Sequence, residues 1–306
     1  MAQKALFIVN PVSGGADRDF EEHLAKEMGD GWIPYRVVRT QYAGHAEALA
    51  REATEDLIVA VGGDGTVNEV ARGIASTAQD ASAGEKAGEK AVKTLGIIPC
   101  GSGNGLAFCL GIKKSLKQAC EVLREGKSQK IDMGMMNGRP FFCSCGAGLD
   151  ADVSLKFASS KTRGLATYVS DAIKIWKRFE PQRYEVEVDG VTTEVPSAVL
   201  ITIGNANQWG NNALIAPGAS LSDGILEVTI IHKFHNIDIP ALAVKLFDGN
   251  IYHSASVTHL RGRHIVIRRE RPGAVHCDGD PFTDGTEISV SIQPAALSAV
   301  CLKLQR

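Results

Sequence analysis

The stretch LIVAVGGDGTVNEV, residues 57–70, decides the fold of this chain. It opens with an unbroken apolar run, which is typical of a strand buried on both faces of a sheet. The glycine-rich turn GGDGT, residues 62–66, follows at once, and residues 67–76 have helical spacing. Thr66 lies just before that helix and Glu69 stands three residues later, so the sequence predicts a capping box there. Strand, turn and helix in this order indicate one unit of an α/β sheet.

The same alternation extends over the first 130 residues. Apolar runs at residues 5–9, 36–39 and 95–98 are separated by segments with helical spacing. Unbroken strands between helices predict a parallel sheet covered on both faces, in an α/β domain of residues 1–130. The small and charged segment 77–94 has no apolar period and is predicted to be a surface loop.

The pattern changes after residue 130. Asn137-Gly138 and Asp189-Gly190 each lie between two strand-like runs, which is the strongest short-range signal for a hairpin. Further strands follow at short spacing, interrupted by helical patterns at residues 164–179 and 238–249. The sequence therefore predicts an antiparallel β-sandwich domain of residues 131–306.

Composition limits the classes of function. The chain is 44% hydrophobic, which is enough for a globular core, and its net charge of −2 gives no general field for binding nucleic acid. Seven cysteines without a CxxC pair predict reduced thiols rather than disulfides or a zinc site. We find no signal peptide and no apolar run of membrane-spanning length, so a cytoplasmic protein is expected.

Three glycine turns follow predicted strands of the first domain: NPVSGG at residues 10–15 (turn A), GGDGT at 62–66 (turn B) and GSGNG at 101–105 (turn C). Parallel strands have their carboxyl ends at one edge, where α/β sheets bind ligands. Glycine lets backbone N–H groups approach an oxyanion, so three such turns imply a polyphosphate ligand. The motifs GxxxxGK[ST] and GxGxxG are absent after these strands. The candidate phosphate-binding residues are Asn10, Ser13, Gly14, Gly62, Gly63, Asp64, Gly65, Thr66, Gly101, Ser102 and Asn104.

An acid within a phosphate-binding turn repels the ligand unless a divalent cation lies between them. Asp64 therefore predicts Mg²⁺ at the phosphates.

These motifs together resemble the diacylglycerol kinase catalytic-domain family of soluble lipid kinases, which includes sphingosine and ceramide kinases. The resemblance implies a phosphofructokinase- or NAD-kinase-like first domain that binds ATP through Thr40, turn B and Ser102. The GSGNGLA segment is more similar to the sphingosine and ceramide branch, because Gly105 stands where bacterial diacylglycerol kinases usually have Asp. GGDGT is shared with NAD kinases, which leaves an NAD kinase-like enzyme as an alternative. A catalytically idle nucleotide or lipid sensor is another. His45, close to Thr40 in sequence, is either near this site or an ordinary surface residue.

Two carboxylates flank a glycine in the second domain, Asp278 and Asp280. Their mutual repulsion can raise the pKa of one of them into the range of a general base, although a simple turn explains the same triplet. In the family the corresponding motif is usually DGE, and its acids are associated with deprotonating the lipid hydroxyl. Sphingosine kinases are thought to use the acid of turn B. Asp280, Asp278 and Asp64 therefore all remain candidates for the base.

The resemblance implies two further assignments in the second domain. The DGxL element at residues 223–226 would hold a structural Mg²⁺ through the Asp223 side chain and the backbone carbonyls of Ser220 and Ile225; a plain turn is the alternative. Asp152 of the LDADV segment would pair with the ammonium group of a sphingoid base, or else face a helix N-terminus.

The sequence therefore predicts an ATP- and Mg²⁺-dependent kinase acting on the primary hydroxyl of a membrane lipid. Sphingoid bases and diacylglycerol are the leading substrates, and GSGNGLA and LDADV favour the former. The expected partners are a lipid substrate, a peripheral contact with the membrane and a second copy of the chain as a homodimer, with no nucleic acid.

Overall fold

The computed structural model describes residues 3–14, 19–83, 93–158, 174–176 and 178–302. The chain forms two compact units, one of Met1–Asp132 with Pro294–Arg306 and one of Met133–Gln293. The expected domains of residues 1–130 and 131–306 differ from these units at the C-terminus. There the last strand pairs in parallel with a strand of the first unit, Ser298 opposite Thr94.

The first unit contains the parallel α/β sheet expected from the sequence. The strands are β1 (Ala5–Val9), β2 (Tyr35–Arg39), β3 (Leu57–Gly62) and β4 (Thr94–Pro99), and the helices are α1 (Phe20–Met28), α2 (His45–Glu52), α3 (Asp64–Ala83), α4 (Gly105–Cys109) and α5 (Leu116–Glu125). The strands lie in the order β2-β1-β3-β4, and the end of the last strand of the chain lies beside β4. Every residue of β1 and β3 is buried, because helices cover both faces of the sheet.

The helix α3 differs from its prediction at both ends. It begins at Asp64 rather than after Thr66. The prediction of a capping box is wrong, because the Glu69 carboxylate accepts hydrogen bonds from backbone N–H groups at the start of α2 instead. Its far end runs through Ala83, into the segment predicted to be a loop, because an alanine-rich stretch propagates a helix readily. Residues 84–92 of that segment lie outside the described residues.

The second unit is the antiparallel β-sandwich that the sequence predicts. Its strands form hairpins and pair around a buried aliphatic cluster that includes Ile201, Val228 and Ile267. The elements of the chain from here on are β5 (Lys127–Met136), β6 (Arg139–Phe141), β7 (Ser144–Gly148), α6 (Leu149–Ala158), β8 (Gln182–Val188), β9 (Val191–Gly204), β10 (Leu226–His232), α7 (Ile239–Phe247), β11 (Val257–Gly262), β12 (His264–Arg269), β13 (Gly273–Cys277), β14 (Asp280–Asp284) and β15 (Glu287–Cys301). The helix predicted over residues 164–179 lies largely outside the described residues.

Three two-residue turns shape these hairpins. Asn137-Gly138 and Asp189-Gly190 connect β5 to β6 and β8 to β9, as predicted, with positive φ at both residues of each turn. Asp278-Gly279 forms a third such turn between β13 and β14, with φ of 50° and 82°. The positive φ values match the twist of the flanking strands. The acidic triplet is therefore the tip of a hairpin.

Arg269 closes the opposite end of the β13–β14 hairpin. Its side chain is 8% exposed and donates to the carbonyl oxygens of Gly273, Ala274, Asp284 and Gly285, at 2.9 to 3.2 Å. A planar guanidinium can serve four acceptors at once, whereas an ammonium cannot match that geometry. This buried contact fixes the base of the hairpin whose tip carries Asp278.

We predict that Arg269→Lys lowers the free energy of unfolding by about 2–4 kcal/mol, because buried carbonyl groups lose their donors. Arg268→Lys is the matched control. Arg268 is partly exposed and pairs with Glu185, Glu187 and Glu287 in contact with solvent, so this change is expected to lower the free energy of unfolding much less. Urea denaturation measures both variants. Equal losses would contradict the role assigned to Arg269.

Candidate active site

The first unit has a topological switch point at the carboxyl edge of its sheet. In the order β2-β1-β3-β4 the connections after β1 and β3 leave in opposite directions, which opens a crevice between those two strand ends. Turn A follows β1 and turn B follows β3. The sheet order alone therefore places these two glycine turns where an α/β sheet binds its ligand.

Direct hydrogen bonds join turns A and B. The Asn10 side chain donates to the Thr66 hydroxyl at 3.0 Å, and the Asn10 backbone N–H donates to the Val61 carbonyl at 2.9 Å. Thr66 is buried and Asn10 is partly buried, so this bond is partly shielded from water. Ser13 and Gly14 continue the same turn, where the Ser13 N–H donates to the Asn10 carbonyl.

Turns B and C are packed backbone against backbone. A side chain at Gly101 would place its Cβ 2.5 Å from the Cα of Gly63, a distance that no real contact tolerates. The Cys100 N–H also donates to the Gly62 carbonyl at 2.7 Å. Glycine is thus required at these positions because the two turns touch, which the sequence alone did not show.

The Asp64 carboxylate joins the same two turns. Its oxygens accept the backbone N–H groups of Asn104 and Gly105, at 2.8 and 2.7 Å, at the start of α4. Asn104 in turn donates to and accepts from Gly101 through its side-chain amide, both at 2.9 Å. Ser102 lies exposed at the tip of the turn held in this way.

Thr40 lies at the same edge of the sheet. Its backbone N–H donates to the carbonyl of Val9, the last residue of β1, at 2.8 Å. The ring of His45, five residues further on, stacks on Tyr42 and accepts the Gln41 N–H at 3.1 Å, so this histidine shapes its own loop.

We predict that Gly101→Ala lowers the free energy of unfolding by about 1–3 kcal/mol, because the new Cβ overlaps backbone atoms of Gly63. Gly65→Ala is the control within the same group of turns. A Cβ added at Gly65 would have no other atom within 4 Å, so this change should leave stability unchanged or raise it by up to about 1 kcal/mol. Thermal unfolding of the ligand-free proteins compares them, and a destabilised Gly65→Ala would contradict this geometry.

In the second unit, the Asp278 carboxylate is enclosed by backbone donors. It accepts the N–H groups of Phe142, Cys143 and Ser144, at 2.7 to 2.9 Å. Burial raises the pKa of Asp278 to about 6, although the three N–H bonds act in the opposite direction. Asp280, two residues later, is exposed at the first position of β14. The neighbouring acids therefore have very different surroundings.

A buried polar cluster lies behind this hairpin. The Asp150 carboxylate accepts the Thr202 hydroxyl at 2.9 Å, and its Oδ2 lies 3.1 Å from His276 Nε2. Gly146 leaves room for these bonds, since a Cβ there would lie 2.7 Å from the Asp150 carboxylate. The sequence reasoning assigned no role to Asp150, His276 or Thr202. Thr202, a single hydroxyl within the otherwise apolar run of residues 198–203 in β9, is the signal that could have found them.

Asp152 lies two residues after Asp150, on the wall of an open depression of about 1080 Å³. Burial, together with the charge of Asp150, raises the pKa of Asp152, and Arg269 opposes the shift. The described lining also carries Lys156, Lys174, Arg178, Glu180 and Arg271, beside the apolar Leu155, Ile175, Phe179 and Pro272. Its charges are mainly positive.

The Asp223 carboxylate accepts the Ile225 N–H at 3.1 Å and pairs with the partly exposed Arg261 guanidinium at 3.3 Å. An Mg²⁺ ion held by Asp223 and the carbonyls of Ser220 and Ile225 would have to compete with that ion pair, and this site stays a prediction. Each oxygen of the Asp64 carboxylate accepts one N–H and keeps a second lone pair for a ligand.

We predict a pH-dependent contribution of Asp278 to stability. Its pKa of about 6 in the folded protein exceeds the ordinary value of 3.8, so the folded state binds the proton more tightly. The stabilisation is complete below the lower value and is lost as the pH rises through the higher one. The difference in unfolding free energy between the wild type and Asp278→Asn, measured from about pH 4 to about pH 7, should fall with rising pH. A difference that grows with pH would show that the three N–H bonds lower the pKa of Asp278 by more than burial raises it.

Comparison with known proteins agrees with this architecture. Residues 4–136 match the model of the diacylglycerol kinase catalytic domain, and residues 143–301 match that of the YegS C-terminal NAD kinase beta sandwich-like domain. The diacylglycerol kinase of Bacillus subtilis (strain 168) is 27% identical over 287 residues, which cover 91% of this chain and 90% of that protein.

Two solved structures share the fold. The structure of a diacylglycerol kinase from Bacillus anthracis str. Sterne aligns with a TM-score of 0.72 at 20% identity, over 98% of this chain and 97% of that one. Yeast NADH kinase in complex with NADH aligns with a TM-score of 0.54 at 13% identity, over 100% of this chain and 84% of that one. The predicted fold class, an NAD-kinase-like α/β domain followed by a β-sandwich, is confirmed. With a kinase catalytic domain joined to this sandwich, the chain belongs to the diacylglycerol kinase family of lipid kinases.

Proposed function

We propose that the protein transfers the γ-phosphoryl group of ATP to the primary hydroxyl of diacylglycerol. The observation that carries this proposal is the convergence of turns A, B and C at the switch point of the sheet, joined by the Asn10–Thr66 and Asp64–Gly105 hydrogen bonds. Family membership supports a kinase that uses an ATP-type nucleotide. The finer assignments below rest on geometry.

The phosphates of ATP would bind to the three turns. The first N–H groups of α3 have no partners within the helix and carry its positive dipole end, which favours an anion next to turn B. Asn10, Ser13, Gly14, Thr40, Ser102 and the backbone of turns B and C are the proposed contacts. Asp64 is the proposed holder of Mg²⁺, which when bound would offset the charge on the transferring phosphoryl group.

Asp280 is the acid that we propose as the general base. The Asp278 carboxylate is enclosed by three backbone N–H groups, and Asp64 is the proposed holder of Mg²⁺. The support for Asp280 is its exposure, which lets a bound acceptor reach it. Asp280 is exposed at the tip of a hairpin whose base Arg269 fixes, so it would take the proton of the acceptor hydroxyl while Asp278 positions the turn.

The charge of the depression beside Asp152 favours an uncharged acceptor. Its described cationic side chains outnumber its acids, and their charge would repel an ammonium group. Diacylglycerol carries no charge, and this is why we place it before a sphingoid base. The half-buried carboxylate of Asp152 is the observation that keeps a sphingoid base as the second candidate.

The direct test incubates the protein with radiolabelled ATP and Mg²⁺ and offers diacylglycerol, sphingosine, ceramide or NAD in turn. We expect labelled phosphatidic acid as the main product. Phosphorylated sphingosine as the main product would favour the second candidate, and its loss in Asp152→Asn would assign the ammonium contact. Phosphorylated NAD alone would contradict a lipid kinase, and nucleotide binding without any product would indicate a sensor.

We predict that Asp280→Asn lowers kcat by about 10²–10⁴-fold with little change in the KM for ATP, because the amide cannot accept the hydroxyl proton. Asp284→Asn is the matched control at the far end of the same strand, where the carboxylate accepts the Asn137 amide. Steady-state kinetics on lipid micelles measures both, with thermal unfolding as a check on folding. A kcat within a few-fold of wild type in Asp280→Asn would rule this residue out as the base.

A further inference from the structure

The helix α7 presents apolar side chains to solvent. Its sequence IPALAVKLF contains one charged residue, Lys245, and none of its residues is buried. Val244 is 64% exposed, Phe247 is 54% exposed, and Ile237 in the turn just before the helix is 85% exposed. We call Ile237, Pro240, Val244 and Phe247 the α7 surface.

The helix α7 is apolar on its inner and on its outer side. On the inner side, Leu246 packs against a small buried cluster of Leu200, Ile215, Ala216 and Ile231. The Lys245 ammonium turns inward, towards the protein, and donates to the His253 carbonyl at 2.8 Å. The outer face is formed by residues spaced four and three apart, Pro240, Val244 and Phe247. A helix of a globular protein normally places its apolar face on the core and its charges outside.

The flank of this surface is aromatic and basic. Trp176 stacks on Phe234, with ring centroids 4.7 Å apart, and its Nε1 donates to the Asn236 side chain at 2.9 Å. Arg178 and Lys233, close to these two rings in sequence, are exposed. An amphipathic ring with one apolar and one polar side suits the boundary between a bilayer and water.

The acids at the two ends of α7 are engaged with backbone groups. Asp238 accepts the His235 N–H at 3.1 Å, and Asp248 accepts the Asn250 N–H at 2.9 Å. The segment between them carries no negative charge. Apolar side chains flanked by cations match a bilayer that contains anionic lipid, because the apolar groups enter the acyl boundary while the cations meet the headgroups.

We propose that the α7 surface docks on an anionic lipid bilayer and brings the enzyme to its substrate. The proposal rests on the proposed function for its physiological meaning, since a kinase whose acceptor is a lipid must reach a membrane. The physical claim itself, that α7 enters the headgroup boundary, can be measured without turnover.

The experiment is co-sedimentation with vesicles of phosphatidylcholine and phosphatidylglycerol in equal amounts, without ATP. We compare the wild type with the double variant Val244→Glu/Phe247→Glu and with the control Val191→Glu. Val191 is 70% exposed in the same unit and is distant from α7 in sequence, so Val191→Glu places a glutamate on an exposed apolar position outside the α7 surface. We expect the double variant to bind at least about tenfold more weakly and the control to bind as the wild type does.

Other outcomes separate the alternatives. Equal binding by the wild type and the double variant overturns the proposal, as does a wild type that binds no vesicles. A wild type that forms dimers dissociated by the double substitution, with vesicle binding unchanged, assigns the surface to a second copy and also overturns it. Val244→Ser/Phe247→Ser repeats the test with a milder change, and thermal unfolding checks the fold of each variant.

The kinase reaction is followed separately, on monomeric dihexanoylglycerol. Weaker vesicle binding by the double variant, with full turnover of this soluble acceptor, supports docking through α7. If neither the wild type nor any variant phosphorylates the acceptor while vesicle binding still depends on α7, the proposed function fails and the docking surface stands.

Discussion

The Asp64 carboxylate is the constraint on which the candidate nucleotide site depends. It accepts the N–H groups of Asn104 and Gly105, so the first residue of α3 holds the start of α4 and joins two turns that are 40 residues apart in sequence. The backbone contact between Gly63 and Gly101 becomes possible only because neither residue has a side chain. The glycines of these turns thus allow the turns to meet, and the acid fixes the distance between them.

In the second unit, too, charged side chains hold the chain in place by hydrogen bonds to backbone groups. Asp278 accepts three backbone N–H groups at the tip of the β13–β14 hairpin, and Arg269 donates to four carbonyl groups at its base. Charged side chains are costly to bury unless each of their donors or acceptors is satisfied. These two side chains satisfy backbone groups at the two ends of one hairpin, whose tip carries the exposed Asp280.

Local signals predicted most of the fold. Buried apolar runs marked β1 and β3, and Asn137-Gly138 and Asp189-Gly190 marked their hairpins, because period and turn chemistry depend on neighbouring residues alone. Long-range partners could not be predicted in this way. The Glu69 carboxylate accepts N–H groups at the start of α2 instead of capping its own helix, and the last strand returns to pair with β4. The sequence predicted Asp64 and Asp278 as candidate catalytic or metal-binding acids, but only the three-dimensional contacts show that both accept backbone N–H groups.

Amide hydrogen exchange of the whole protein, with and without ATP and Mg²⁺, tests the central claim most directly. If the three joined turns bind the phosphates, the nucleotide should slow exchange together at residues 10–14, 62–66 and 101–105. Protection confined to another part of the chain, or to one turn without the other two, would contradict a common phosphate site at the switch point of the sheet.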